Sequence, residues 1–313
     1  MNQENEVTPV EGEQEITAEL KPAELEREWD RLAERARTVH AVVKMGARTD
    51  LGRIRENNED KFDFFEPEDT DVLARKGSIY AVADGMGGHA AGQIASELAL
   101  KTLIKTYYAD SSPDVAGSLV RAVHEANSLI YDAARMIVER SGMGTTLTAV
   151  VIRADEAYFA HVGDSRAYLL RGGEIRQITE DHSWVAEQVR RGALTEEEAQ
   201  FSPFRNVITR SLGNMPTVEP DIIAEDLRPG DVILLCSDGL SGSLTAEEIR
   251  DLMTGKSPSQ AAMDLVDAAN ERGGIDNITA VVIAVKGIVH EEDESLSKER
   301  ERHRKRFFGL LRS

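Results

Sequence analysis

A glycine-rich turn within residues 78–92 constrains the fold of this chain most, because it places an acidic residue at the end of a buried strand. The apolar run of residues 79–83 has the length and composition of a strand. It ends at Asp84, which Gly85 follows, and apolar residues recur at helical spacing from Ile94. Glycines allow the backbone to approach a ligand closely. Asp84 is therefore a candidate site residue, and a helix cap is the alternative interpretation.

Two further aspartates lie beside apolar runs of strand length. Asp238 follows residues 232–236 after Ser237, and Asp276 lies just before the run that begins near residue 278. If the ends of these strands converge on Asp84, three carboxylates meet, and their mutual repulsion requires a compensating charge. Oxygen ligands without a cysteine cluster favour Mg²⁺ or Mn²⁺. Two such ions bridged by one carboxylate can hold and activate a water as a nucleophile.

A cation near such a centre would bind an anionic substrate, and Arg55 is the candidate because guanidinium groups clamp phosphate well. Arg55 lies in a short run of charged residues between two predicted strands, so a solvated loop is the alternative interpretation. Residues 67–77 are predicted as a polar loop before the strand of residues 79–83.

Composition narrows the class of protein. The formal net charge of −19 argues against non-specific binding to nucleic acid or to anionic membranes. Cys236 is the only cysteine, which excludes an intrachain disulfide and suits a reducing, cytoplasmic compartment. We find no signal-peptide pattern and no apolar run of the roughly 18 residues that a membrane span needs.

The chain divides into three predicted parts. Residues 1–38 form an acidic leader, predicted to be disordered first and then an amphipathic helix that either packs on its own domain or binds a partner. Residues 39–287 form the folded domain. Residues 288–313 form a charged tail that ends in basic and apolar residues, which suits a frayed terminus, partner docking or peripheral membrane contact.

Eight segments carry a family resemblance. In order, they resemble the motifs of the bacterial type 2C (metal-dependent, PPM-type) protein serine/threonine phosphatases, and they span about residues 39–286. The segments are RIRENNED, VADGMGGHAAG, GMGTTLTAV, HVGDSRAYLLR, ITEDHS, NVITRSLG, LLCSDGL and GGIDNITAVVI.

The resemblance implies an α+β fold, a four-layer α-β-β-α sandwich of two mainly antiparallel sheets flanked by helices. It also implies a centre of two Mn²⁺ or Mg²⁺ ions. Asp84 would bridge the two ions, and the Gly85 carbonyl and Asp60 would serve the second ion, Asp60 directly or through waters. Asp238 and Asp276 would bind the first ion.

Three further roles follow from the resemblance. Asp164 matches the position that binds a third, weaker ion, and the alternative is a turn cap that pairs with Arg166. Arg55 would grip the substrate phosphate. His89 is the candidate general acid for the leaving oxygen, and the alternative is a helix-start residue without a catalytic role.

The resemblance implies a metal-dependent phosphatase that hydrolyses phosphoserine and phosphothreonine by direct attack of a metal-activated water. Its partners would be phosphorylated proteins and a cognate serine/threonine kinase whose signalling it reverses. A cytoplasmic monomer without nucleic acid or a membrane span is expected. The alternative is a catalytically inactive scaffold or regulator with the same fold.

Overall fold

The computed structural model describes residues 39–88, 90–136 and 142–290. The strands in this part of the chain are β1 (Val39–Asp50), β2 (Asp60–Phe65), β3 (Ser78–Met86), β4 (Gly144–Thr145), β5 (Leu147–Arg153), β6 (Glu156–Val162), β7 (Arg166–Arg171), β8 (Glu174–Gln177), β9 (Asp221–Asp226), β10 (Val232–Cys236) and β11 (Ile278–His290). The helices are α1 (Thr70–Lys76), α2 (Ala90–Ala109), α3 (Val115–Met136), α4 (Trp184–Arg190), α5 (Glu196–Gln200), α6 (Asp238–Ser241), α7 (Ala246–Met253) and α8 (Pro258–Glu271).

The strands form two sheets with antiparallel pairing. The first sheet has the order β1-β11-β10-β7-β8. The second has the order β2-β3-β5-β6-β9, and the short strand β4 pairs with β3. One apolar cluster fills the space between the sheets, a second lies between the second sheet and helices α2 and α3, and a third lies between the first sheet and helices α7 and α8. The predicted four-layer α-β-β-α sandwich is confirmed.

The packing around strand β3 explains why residues 79–83 are all apolar. Tyr80 and Val82 face the first sheet, whereas Ile79, Ala81 and Ala83 face helices α2 and α3. A strand that is covered on both faces needs apolar residues at every position rather than at alternate ones. The apolar run therefore ends at Asp84, the first charged residue of β3, and the strand itself continues to Met86.

Two short sequence patterns adopt the local structures that they favour. The paired glycines Gly172 and Gly173 both have positive φ and connect β7 to β8 in a hairpin. A capping box at Thr195 and Glu198 begins α5.

The predicted loop of residues 67–77 instead contains helix α1. The Asp69 side chain accepts hydrogen bonds from the backbone N–H groups of Asp71 and Val72 and so begins the helix. The helix ends at Gly77, where φ is 68°. The segment is short and polar, so periodicity alone did not distinguish this helix from a loop.

Strand β11 continues beyond the predicted end of the domain at residue 287. It pairs with β1 along its length, and Val39 lies opposite His290. Within residues 39–88, 90–136 and 142–290, no helix is long and apolar enough to cross a membrane.

Candidate metal centre

Two predicted ligands lie opposite each other in the second sheet. The register of β2 and β3 pairs Asp60 with Asp84, and cross-strand partners have their side chains on the same face. Asp60 is buried with 1% of its surface exposed, whereas Asp84 keeps part of its surface open. The sheet register therefore brings together two carboxylates that are 24 positions apart in the sequence.

The first sheet supplies the other two aspartates. Asp238 begins α6 directly after β10, and Asp276 precedes β11, which is the neighbour of β10. The backbone segments that carry them touch, because a Cβ at Gly239 would lie 2.0 Å from the Asn277 carbonyl oxygen. Only glycine permits this approach, which holds Asp238 and Asp276 at one edge of the sheet.

Hydrogen bonds join the two sheet edges at Asp60. Its Oδ2 accepts from Ser237 Oγ at 2.6 Å and from Thr279 Oγ1 at 2.7 Å. Ser237 and Thr279 belong to the first sheet and its connections, whereas Asp60 belongs to the second. Sequence reasoning missed both hydroxyls. The available signal was the position of Ser237 beside Asp238.

Asn277 fixes the loop that carries Arg55. Its Nδ2 donates to the carbonyl oxygens of Leu51 and Asn57, at 2.9 and 3.0 Å, and its Oδ1 accepts from Glu59 N–H at 2.8 Å. This side chain was also missed, although it lies directly after Asp276 in the sequence. It ties the loop between β1 and β2 to the start of β11.

The end of β3 packs tightly against the start of α2. A Cβ at Gly85 would lie 2.1 Å from the Gly92 carbonyl oxygen, and a Cβ at Gly92 would lie 1.9 Å from Glu59 Oε2. Both glycines therefore meet a steric requirement at the site. His89, which lies between them in the sequence, falls outside the described residues, and its role as general acid stays a prediction.

The buried carboxylates of the cluster repel one another. Burial, followed by the neighbouring carboxylates, raises the pKa of Asp84 well above its ordinary value. The pKa of Asp238 rises through burial and the charge of Asp276. Burial also raises the pKa of Asp60, against the opposing effect of its two hydroxyl donors. The protein holds these carboxylates together at an electrostatic cost that a cation would remove.

Several carboxylate oxygens in the cluster lack a partner. Within the described residues, Oδ1 of Asp60, of Asp164 and of Asp238 is buried without a hydrogen bond, although buried polar atoms normally have one. Oxygen donors of this kind suit Mn²⁺ or Mg²⁺. No three acidic, histidine or cysteine side chains of the described part already surround one point as metal ligands. The donor chemistry fits the ions.

Arg55 lies at the rim of this cluster. Its Nη2 donates to Asp276 Oδ2 at 2.6 Å, and about half of its side chain is exposed. The hydrogen bond to Asp276 is the largest cause that raises the pKa of Arg55. The structure therefore brings Arg55 to the predicted site as a cation that an anionic ligand can reach.

Asp164 lies in the turn between β6 and β7, and two hydroxyl groups connect its neighbour Ser165 to the backbone of Asp84. Thr146 Oγ1 accepts from Asp84 N–H at 2.9 Å and lies 2.7 Å from Ser165 Oγ. The ion pair of Arg166 is with Asp181, at 2.7 Å, so the alternative pairing of Arg166 with Asp164 is wrong. Burial and the charge of Asp238 raise the pKa of Asp164.

Comparison with known proteins decides the family. The model of the family described as protein phosphatase 2C matches residues 48–278, which include the four clustered aspartates and Asp164. The chain belongs to the protein phosphatase 2C family. Its family resemblance, predicted from motifs, is confirmed.

Relatives cover most of the chain. A putative protein phosphatase 2C-type from Streptococcus pyogenes serotype M6 is 38% identical over 260 residues, which cover 81% of this chain and 100% of that protein. The serine/threonine phosphatase stp of Listeria welshimeri serovar 6b is 39% identical over 241 residues, which cover 75% of this chain and 93% of that protein.

A solved structure of the catalytic domain of the serine/threonine protein phosphatase PstP in complex with two manganese ions has a TM-score of 0.68 at 37% identity. The similarity covers 80% of this chain and 100% of that chain.

Proposed function

We propose that the acidic cleft between the two sheet edges hydrolyses phosphoserine and phosphothreonine in proteins. The chain is a protein serine/threonine phosphatase of the 2C family, and it uses a dinuclear Mn²⁺ or Mg²⁺ centre. The observation that carries the proposal is the convergence of buried carboxylates with raised pKa values and unpartnered oxygens.

Five residues would hold the two ions. Asp84 would contact both ions, Asp238 and Asp276 would bind the first ion, and Asp60 and the Gly85 carbonyl would serve the second. The position of Asp84 between Asp60 of its own sheet and Asp238 of the other supports the bridging role. Asp164 would hold a third, weaker ion, and its buried Oδ1, which has no hydrogen-bond partner among the described residues, supports that role.

When bound, the ions supply the charge that neutralises the carboxylates and the activated water that attacks phosphorus. Arg55 exchanges its bond to Asp276 for the substrate phosphate, which a guanidinium can grip with two donors. His89 delivers the proton to the departing serine or threonine oxygen. Because attack is direct, no side chain of the protein becomes phosphorylated.

The substrates are phosphoproteins, and we propose that the enzyme reverses a serine/threonine kinase in the cytoplasm as a monomer. The net charge of −19 makes nucleic acid an unsuitable partner. The predicted amphipathic leader and basic tail lie outside the described residues. Recruitment of a partner or a membrane surface by these segments stays a prediction.

Hydrolysis of a phosphothreonine peptide by the full chain tests this function. We expect turnover with Mn²⁺ or Mg²⁺ that EDTA and Asp238→Asn abolish. Asp251→Asn, an exposed acid on α7, serves as the matched control and should retain turnover. A folded protein without turnover in any divalent metal would contradict the proposal and favour the inactive scaffold.

A further inference from the structure

His182 connects three parts of the molecule near Asp164. It is 4% exposed, and its ring lies 4.8 Å from the His161 ring. Its Nδ1 accepts from the backbone N–H of Gly163 at 3.0 Å. The backbone N–H of His182 donates to the Gly163 carbonyl oxygen at 2.7 Å. Its Nε2 lies 3.0 Å from Asp221 Oδ2. His182 therefore has a specific partner at each ring nitrogen.

These contacts fix the tautomer of His182. The backbone N–H of Gly163 can only donate, so Nδ1 must accept and carries no proton. The proton of the neutral ring therefore lies on Nε2 and is donated to Asp221. Burial lowers the pKa of His182, which favours this neutral form. Nδ1 is therefore the hydrogen-bond acceptor for Gly163, and Nε2 is the donor to Asp221.

Gly163, which exchanges hydrogen bonds with His182, lies in a tightly packed turn. Its φ is 115°, and a Cβ would lie 2.6 Å from Thr146 Cγ2, so the turn before Asp164 is close-packed. Thr146 also accepts the backbone hydrogen bond of Asp84. The pair of hydrogen bonds between Gly163 and His182 therefore holds the turn that presents Asp164 to the cleft.

The other side of His182 holds the connection between α5 and β9. The His182 carbonyl oxygen accepts from Thr209 N–H at 2.8 Å, and the neighbouring Ser183 forms a bridge with Ile208. Asp221, the Nε2 partner, also accepts from Arg210 Nη1 at 2.7 Å. We call residues 201–215 the crossing segment. It reaches the cleft because Leu212 exchanges two backbone hydrogen bonds with Thr145.

We propose that His182 is a positioning residue with two separable contacts. Its Nδ1 orients the Gly163 turn and so sets the affinity of the Asp164 ion site, and its Nε2 holds the crossing segment through Asp221. The inference rests on the proposed function, because it takes Asp164 as the ligand of the weaker third ion. His182 itself touches neither the ion nor the substrate.

Two substitutions separate the contacts. In His182→Asn the side-chain oxygen can take the place of Nδ1 and accept from Gly163, but the shorter side chain does not reach Asp221. In His182→Gln the amide nitrogen can take the place of Nε2 and donate to Asp221, but the Gly163 acceptor is lost. Both variants remove the imidazole ring and its contact with the His161 ring, so both lose that contact equally.

Calorimetric titration of the full chain with Mn²⁺ measures the affinity of each class of ion site. The class of weak sites that Asp164→Asn loses is the one assigned to Asp164. We expect His182→Gln to weaken that class by about tenfold or more, as loss of an outer-shell contact does. His182→Asn should retain the wild-type affinity there and instead increase amide exchange in the crossing segment. Equal weakening of ion binding in both variants, or no weakening in His182→Gln, would overturn the proposal.

The proposed function and this inference fail differently. A folded but inactive wild-type protein would refute the phosphatase proposal, and no His182 variant is needed for that test. If Asp164→Asn keeps every class of Mn²⁺ site, the assignment of Asp164 as a ligand is overturned, and this inference with it. A general structural role of His182 predicts that the two variants lose melting temperature together and bind Mn²⁺ alike, which would also overturn the positioning role.

Discussion

At the residue scale, the site is defined by negative charge that the fold buries. Asp60 receives two hydroxyl hydrogen bonds at Oδ2, yet its Oδ1 has no partner within the described residues. Desolvation still raises its pKa. A carboxylate in this state opposes folding until a cation binds it. Function and metal-free stability therefore make opposite demands on the same residue.

Substitution Asp60→Asn tests this opposition. The amide retains the acceptor for Ser237 and Thr279 but removes the charge. We expect the melting temperature in EDTA to stay level or rise. We expect kcat with Mn²⁺ to fall by at least about 100-fold, which is the largest effect usually seen when a residue that only supports a metal ligand is lost. A lower metal-free melting temperature with unchanged turnover, measured beside Asp251→Asn, would contradict the assignment.

His161 gives a pH dependence that is separate from catalysis. Burial lowers its pKa from 6.5 to about 4. The unfolded chain therefore binds a proton first as the pH falls, and stability is lost between these two values. We expect His161→Gln to reduce the difference in unfolding free energy between pH 7 and pH 5 by about 2 kcal/mol.

Urea unfolding in EDTA at the two pH values measures this effect. The comparison uses the change with pH within each protein, so a general loss of stability in the variant does not affect it. The same pH dependence in both proteins would show that His161 is not the group that titrates.

At the element scale, the site depends on strand ends that approach closely. The end of β3 meets the first turn of α2, where a Cβ at Gly85 would overlap the Gly92 carbonyl group. The backbone atoms involved cannot rotate away as a side chain can. The glycines of the turn are therefore required for packing, in addition to any role of the Gly85 carbonyl as a ligand.

Gly85→Ala is expected to destabilise the protein by about 1–3 kcal/mol, as overpacking does, and to reduce turnover. Gly117→Ala is the matched control, because the atoms nearest to a Cβ there belong to the side chains of Asp114 and Arg121, which can rotate away. The control should gain about 0.5–1 kcal/mol. Denaturant unfolding and peptide turnover measure both, and equal effects in the two variants would refute the packing argument.

At the scale of the whole molecule, the sequence predicted the layers and the four aspartates but not how they interlock. Asp84 and Asp238 were predicted because apolar runs of strand length end at Asp84 and one residue before Asp238. The opposition of Asp60 to Asp84 depends on strand register, which no local pattern specifies. Ser237, Thr279 and Asn277 act through contacts with residues that are distant in the sequence. Long-range pairing of this kind becomes visible only in the fold.

The extent of the folded domain can be tested by truncation. Because Val39 pairs with His290, a chain of residues 39–290 should retain the melting temperature and kcat of the full chain with Mn²⁺. A chain of residues 39–277 lacks β11 and should not fold, since β11 lies between β1 and β10. Loss of turnover in the 39–290 chain would show that a terminal segment takes part in catalysis.

The binding of Mn²⁺ to the full chain, measured by calorimetry beside Asp238→Asn, tests the central claim most directly. The claim is that carboxylates from two sheets form one dinuclear centre. We predict two tightly bound ions for the wild type and the loss of at least one in the variant. A wild-type protein that binds no Mn²⁺, or a variant that binds both ions with unchanged affinity, would contradict the account.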